Sequence, residues 1–463
     1  MPGASAAARR GARRQQALLR RLCGAVLVAS ALTLGGCASL DPYDVIGRHI
    51  PTGPPVEAVT AADVREAAVD VTWRTIADRY YRADLNGVDW AATRTEWGPR
   101  ILAATDEDEF WRRLDQMVGV LADSHTRVES PKQVARRAAQ QAPTLGLGLR
   151  VLDGALVVLA VHPDSDAFWA GVRAGMRLTH IDGRDALDQW RAWQALRRYS
   201  TPQAERRAPL RILNDVALRA AEADPRGGIV LRFERDDGGP ITARLRPRTV
   251  STAPQLTART LPSGVGYLRL TAFSDTLRGK LDEAFTQLAD TPAMILDLRG
   301  NGGGSLAFAN ALLGHFFKQK TVLGHARTRS GEPVALAFGA IRIIPLELSV
   351  PGRADAYDRP LVVLLDDASA SASELTAAAL QASGRARVIG EPSCGCLLAF
   401  LGYRRLPGGG ELAYSEVGFE TLSGARIEGQ GVEPDLPVPR DARDLRAQRD
   451  RALEIAQQAL MER

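Results

Sequence analysis

At 463 residues the chain is too long for one ordinary domain, and about three are expected. With 45% hydrophobic and 24% charged residues it is not a disordered chain. Its net charge of +5 is local: residues 1–36 hold Arg9, Arg10, Arg13, Arg14, Arg20 and Arg21 and no acid, and taking these six from 59 basic residues leaves 53 against 54 acidic ones. The remaining body lacks the cationic footprint that binding nucleic acid requires, so no nucleic-acid partner is expected.

The arginines of residues 1–36 precede an apolar run over residues 22–34, too short to span a bilayer. Small residues follow, and "LGGC" resembles a bacterial lipobox, with cleavage before Cys37 and acylation of that cysteine. A Sec-type or twin-arginine signal fits the arginines; an ordinary signal with a chance cysteine is the alternative. Ala38 after the cysteine resembles an outer-membrane sorting signal, giving an expected location in the bacterial envelope, lipid-anchored on the periplasmic side. The proline-rich residues 37–58 read as a tether.

Residues 59–142 read as a helical domain. In "DVREAAVDVTWRTIADRYY", Val64, Ala67, Val71 and Ile76 have near-helical spacing, and Thr105 with Asp108 forms a capping-box start for "DEDEFWRRLDQMVGVL". That helix runs into "ADSHTRV", a polar loop holding His125. A helix end nearby would favour a protonated ring.

Over residues 143–249 the period changes. "LGLGLRV", "ALVVLAVHP" and "DAFWAGVRAGMRLTHIDG" resemble a PDZ domain, interrupted by a helical insertion over residues 187–223 and closed by the hairpin "GGIVLRFERDDG" with "ITARLRP". In such a domain, glycine-loop amides hold a peptide's terminal carboxylate while the peptide adds to a sheet edge. Residues 250–440 alternate apolar strands ("VGYLRL", "AMILDLR", "PLVVLLDD", "ARVIGEP") with helices, which implies an α/β unit with a buried, largely parallel sheet. Residues 441–463 read as a C-terminal helix.

Two turns of the α/β unit carry candidate chemistry. "AMILDLRGNGGGS" has glycines after a strand, yet Ser305 stands where a dinucleotide loop needs glycine, and no lysine completes a P-loop. Such a turn can aim amides at a carbonyl oxygen instead. "PLVVLLDDASASASELTAAAL" puts Ser371 at a helix N-terminus between alanines that let a peptide approach. Plain helix capping is the competing reading. Cys394 and Cys396 have only each other to pair with and read as small packing residues. No zinc spacing is present, and the chemistry calls for no metal or organic cofactor.

"LDLRGNGGGSL", "VVLLDDASASASEL" and "GQGVEPDLPV", in this order and with the PDZ-like segment, resemble the carboxyl-terminal processing (tail-specific) serine peptidases over residues 60–440. The resemblance implies a crotonase/ClpP-like spiral core, Ser371 as nucleophile, and an oxyanion hole from the amides of Gly303 and Ala372. The best-known branch has a lysine base 25 positions after the nucleophile; here Cys396 stands there and no lysine follows Ser371. A tricorn-like branch uses an upstream Ser-His pair and a late glutamate, which here are Ser124, His125 and Glu428. His125 is then the base, Glu428 orients it and Ser124 supports the cluster, with Glu416, Glu433 and Asp435 as rivals of Glu428. The implied partner is a polypeptide, recruited through its C-terminus, and the membrane is reached through the lipid. A non-catalytic PDZ-containing scaffold lipoprotein and a hydrolase of a smaller ester or amide are the competing functions.

Overall fold

The structure, a computed structural model, describes residues 60–195, 198–224, 227–336 and 340–462, together with Asp41, Tyr43, Asp44, Val45 and Arg48. The signal segment and Cys37 lie outside the described residues. Among the described residues no helix is long and apolar enough to cross a membrane.

The first unit is built on α1 (Ala61–Arg79), α2 (Trp90–Leu102) and α3 (Glu107–Gly119), with a short helix, Pro131–Ala138, after the His125 loop. Helix α1 starts at a capping box in which Thr60 accepts from the Asp63 amide and Asp63 accepts from that of Thr60. Its buried face is Ala68, Val69, Thr72, Thr75 and Ile76. Of the expected stripe only Ile76 is fully buried; Val64 and Val71 are half-buried and Ala67 is exposed, while Thr72 is buried with its hydroxyl donating to Ala68 O. Helix α3 is capped by Asp106, one residue after the expected Thr105, whose hydroxyl donates to Glu109 instead.

This unit does not stand apart. Phe110, Trp111, Leu114 and Met117 share one core with Leu398, Leu406, Leu412 and Tyr414 from the far end of the chain. Strand β1 (Arg127–Glu129), just after the His125 loop, pairs antiparallel with residues Glu411–Ala413. Burial of that shared apolar surface fixes where the loop lands.

The second unit is an antiparallel sheet of β2 (Leu147–Leu152), β3 (Ala155–Val161), β4 (Arg177–Ile181), β5 (Ile229–Glu234) and β6 (Pro240–Leu245), in that order. Between β4 and β5 the expected insertion is helical, ending in α4 (Ala208–Ala223), which packs on the edge strand β2.

The third unit holds a six-stranded sheet in the order β7 (Leu256–Thr260), β8 (Gly266–Leu270), β9 (Met294–Asp297), β10 (Leu361–Leu365), β11 (Arg387–Gly390), β12 (Leu436–Pro437). Only the β7–β8 pair is antiparallel. Strands β9 and β10 are buried at every position, as an apolar run covered on both faces must be. One face is covered by α5 (Leu306–Gly314) and α6 (Ala372–Ala382), the other by α7 (Arg451–Met461) through Ala456 and Leu460. The C-terminal segment is thus two helices, Ala442–Arg446 and α7, where one was expected.

The expected tether is partly body. The Arg48 guanidinium is buried and forms a two-pronged ion pair with buried Glu416 at 2.9 Å, while Asp44 pairs with Arg404 and Tyr43 bonds Ser330. A buried arginine placed against its carboxylate is a packed element, not a free leash.

Candidate active site

Strand β10 feeds a turn over residues 366–371 that opens helix α6. Two of the three alternating serines are consumed by the turn. Ser369 Oγ donates to Leu298 O and Ser373 Oγ to Asn301 O, both at 2.9 Å. Ser371 alone of the three lines the cleft, with φ 57° and ψ −118°, a region that costs a non-glycine residue about 1–3 kcal/mol. A sharp strand-to-helix turn with a strained serine at its tip is the geometry of a nucleophile elbow.

Gly303 abuts this elbow. A Cβ there would lie 2.6 Å from Ser371 Cβ and 2.8 Å from the Ala372 amide nitrogen, at φ +95°. Its amide donates to Asn301 Oδ1 at 2.9 Å, so what Gly303 brings to the elbow at rest is close backbone approach, with its N–H already engaged. Ala372 is the first residue of α6, where the amide has no intrahelical partner. Gly303→Ala is expected to lower kcat by about 10²-fold or more, because the methyl must push the serine off its line; steady-state kinetics on a folded variant check it.

The helical unit delivers the histidine. Asp123 Oδ1 accepts the His125 amide at 2.8 Å, and its Oδ2 accepts from Thr126 and, across the unit boundary, from Ser415 Oγ at 2.6 Å. Ser124 Oγ lies 2.6 Å from Ser200 Oγ and 3.3 Å from Cys396 Sγ, while Cys396 O accepts the Ser371 amide at 2.9 Å. Ser124, His125, Gly303, Ser371, Ala372 and Cys396 line one cleft of about 920 Å³. His125 Nδ1 is buried and without a partner among the described residues. Burial, aided by Arg127 and Arg207, pushes its pKa down to about 4 against the pull of Asp123. The expected bias toward a protonated ring is therefore reversed: desolvation outweighs a helix end.

Glu428 lies behind the cleft, accepting the amide of cleft-lining Leu397, and its Oε2 is buried and unpartnered. Burial, then Asp123 and Glu374, push its pKa up to about 9. Its rivals are committed or remote: Glu416 holds Arg48 and the Leu401 amide, Asp435 accepts from Val388 and Gln381, and Glu433 is exposed. The signs of the two shifts set a stability profile. His125, depressed from 6.5, contributes stability above that pH and loses it as pH falls toward 4; Glu428, raised from 4.5, contributes below 4.5 and loses it as pH rises through 9. In Glu428→Gln the decline of the melting temperature between pH 5 and 9 should flatten, by up to about 1.4 kcal/mol per pH unit, as thermal unfolding across that range checks.

Cys394 and Cys396, expected as separate packing residues, are joined by a disulfide because the bend at Gly395 turns both sulfurs to one side. The position of the missing lysine is thus in the site but occupied by a sulfur that takes no proton. The glycine-loop amides of the second unit are also engaged: Leu145 N donates to Asn214 Oδ1 and Gly146 N to Thr144 Oγ1. One residue escaped the sequence reading. Glu374 is buried beneath Ser371 and accepts its amide at 2.9 Å, and burial pushes its pKa up to about 7. The Ser371-x-x-Glu374 capping-box spacing was the available signal.

Residues 264–438 match peptidase family S41, and residues 65–119 match the tricorn protease C1 domain. The chain is 27% identical over 405 residues to a carboxyl-terminal-processing protease of Picosynechococcus sp., covering 84% of this chain and 86% of that one. It is 28% identical over 383 residues to the chloroplastic carboxyl-terminal-processing peptidase 2 of Arabidopsis thaliana, covering 80% and 68%. Among solved structures, mature CPAF complexed with lactacystin superposes with a TM-score of 0.64 at 15% identity over 86% of this chain and 99% of that one. The photosystem II D1 C-terminal processing protease gives 0.53 at 24% over 82% and 94%. These structures share the mixed α/β fold. With a peptidase family S41 match across the sheet that carries the strained serine, and processing proteases as its relatives, the chain is a serine-type peptidase.

Proposed function

We propose that the protein is a lipid-anchored envelope endopeptidase of the carboxyl-terminal processing kind, with a tricorn-like Ser-His-Glu site on a crotonase/ClpP-like core. One observation carries the reading: the Ser124–His125 loop of the helical unit and the strained Ser371 line the same cleft. Ser371 Oγ attacks the scissile carbonyl as His125 takes its proton, and His125 returns that proton to the departing amine. A neutral ring, which the depressed pKa of His125 favours, is the form that can accept it. Glu428, held neutral at rest by burial, orients the ring by accepting its second N–H once the cleft closes on substrate, and Ser124 supports the cluster. Water, activated by the same imidazole, then hydrolyses the acyl-enzyme.

The Ala372 amide and the Gly303 loop stabilise the oxyanion, the latter once Asn301 releases the Gly303 N–H. The substrate is an extended polypeptide; for its terminal carboxylate to reach the amides of the PDZ-like loop it displaces the Asn214 side chain. The lipid on Cys37 holds the body at the membrane. The test is to treat residues 38–463 with an unfolded protein and a fluorophosphonate. Cleavage blocked by the reagent, with the adduct on the tryptic peptide holding Ser371, is the expected result; cleavage without an adduct there overturns the reading.

A further inference from the structure

The Glu374 carboxylate has no contact with solvent, yet both of its oxygens are fully used. Oε2 accepts the amides of Ser371 at 2.9 Å and Cys396 at 3.0 Å; Oε1 accepts Ser393 Oγ at 2.6 Å and the Gly395 amide at 2.7 Å. A surface capping box needs one such bond, and burying a carboxylate for helix capping alone is a poor exchange, since solvated Ser, Thr or Asp caps do as well. The extra bonds go elsewhere. Ser393 Oγ in turn accepts the Val432 amide at 2.7 Å, and Gly395 O accepts that of Gly429 at 2.9 Å. Glu374 therefore ties three segments together: the elbow, the loop over residues 393–396, and the turn that carries Glu428. The elbow is the part that most needs a tie, because at φ 57° Ser371 persists only where its surroundings hold it.

We propose that Glu374 is a positioning residue that, through the Ser371 amide and the 393–396 loop, fixes the direction of Ser371 Oγ and its register against Glu428. The proposal rests on Ser371 being the nucleophile. In Glu374→Gln one oxygen becomes an NH₂ that faces donors, so two of the four bonds are lost in a side chain of the same shape.

The experiment measures fluorophosphonate labelling rates, kcat and KM for wild type, Glu374→Gln, Ser393→Ala and Ser371→Ala, with a thermal melt of each. Glu374→Gln should label and turn over about 10–100-fold more slowly with KM within about twofold, the signature of a misdirected nucleophile behind an intact cleft. Ser393→Ala, which removes one donor, should slow labelling about threefold or more. A folded Glu374→Gln that labels at the wild-type rate overturns the proposal. If that variant does not fold, Ser393→Ala decides: slower labelling at unchanged KM supports it, and wild-type labelling overturns it. Labelling of Ser371→Ala at the wild-type rate would instead overturn the nucleophile reading, a separate failure.

Discussion

Ser371→Ala is expected to abolish the fluorophosphonate adduct and to lower kcat by about 10⁴–10⁶-fold, as loss of a nucleophile does when it works as a unit with its base. Binding should survive, because the cleft walls are untouched and a hydroxyl contributes little ground-state contact. The stability readout is more informative than usual. At φ 57° and ψ −118° the alanine variant keeps the backbone strain, so its melting temperature should stay near that of the wild type. Ser371→Gly should be equally inactive yet more stable by about 1 kcal/mol, since relief of about 1–3 kcal/mol of strain outweighs the entropy that glycine adds to the unfolded chain. Activity and stability pull in opposite directions at this residue, as expected where backbone strain presents a reacting group. An alanine variant that still cleaves would remove Ser371 from the mechanism.

The second large effect is at the other wall of the cleft. His125→Ala should lower kcat/KM by about 10³–10⁵-fold while the fold persists, because the loop is held by Asp123 through the main chain and through Thr126 and Ser415, not by the ring. A scaffold protein that merely binds polypeptide would be indifferent to the change, so peptide binding and peptide cleavage measured on one preparation separate the two functions. Introducing lysine at Cys396 should not restore turnover to His125→Ala, since the Cys396 carbonyl and sulfur are built into the elbow and the disulfide. Partial recovery with added imidazole would place the missing proton acceptor in the cleft itself. Equal kcat/KM in wild type and His125→Ala would end the Ser-His-Glu mechanism.

The cleft is assembled from every unit of the body. The N-terminal segment reaches it indirectly: Arg48 neutralises Glu416, and Glu416 accepts the amide of Leu401 beside cleft-lining Ala399 and Phe400. The insertion of the second unit reaches it through Thr201, which donates to Cys394 O, and Arg207, whose guanidinium meets Cys394 Sγ at 3.0 Å. Both bear on the 393–397 loop that Glu374 holds from below.

Local pattern made much of this legible. A short apolar run such as residues 361–365, bounded by Pro360 and by Asp366 and Asp367, reads as a strand buried on both faces, and the alternation of such strands with helices gives a parallel sheet. The elbow serine was readable because a strand, a turn of small residues and a helix start follow one another in the chain. Residue roles that depend on burial were not readable. The sign of the His125 shift, the engagement of the Gly303 amide by Asn301, the docking of Arg48 and the four-donor shell of Glu374 all arise where distant segments meet. The amino-acid order alone determined the units, their sequence and the serine that the sheet presents, since these follow from periodicity and turn chemistry over a few residues. Only the tertiary structure decided that the His125 loop and Ser371 line one cleft and that burial shifts the charges of His125, Glu374 and Glu428, because packing one apolar core onto another sets both where the loop lands and the loss of water around each group.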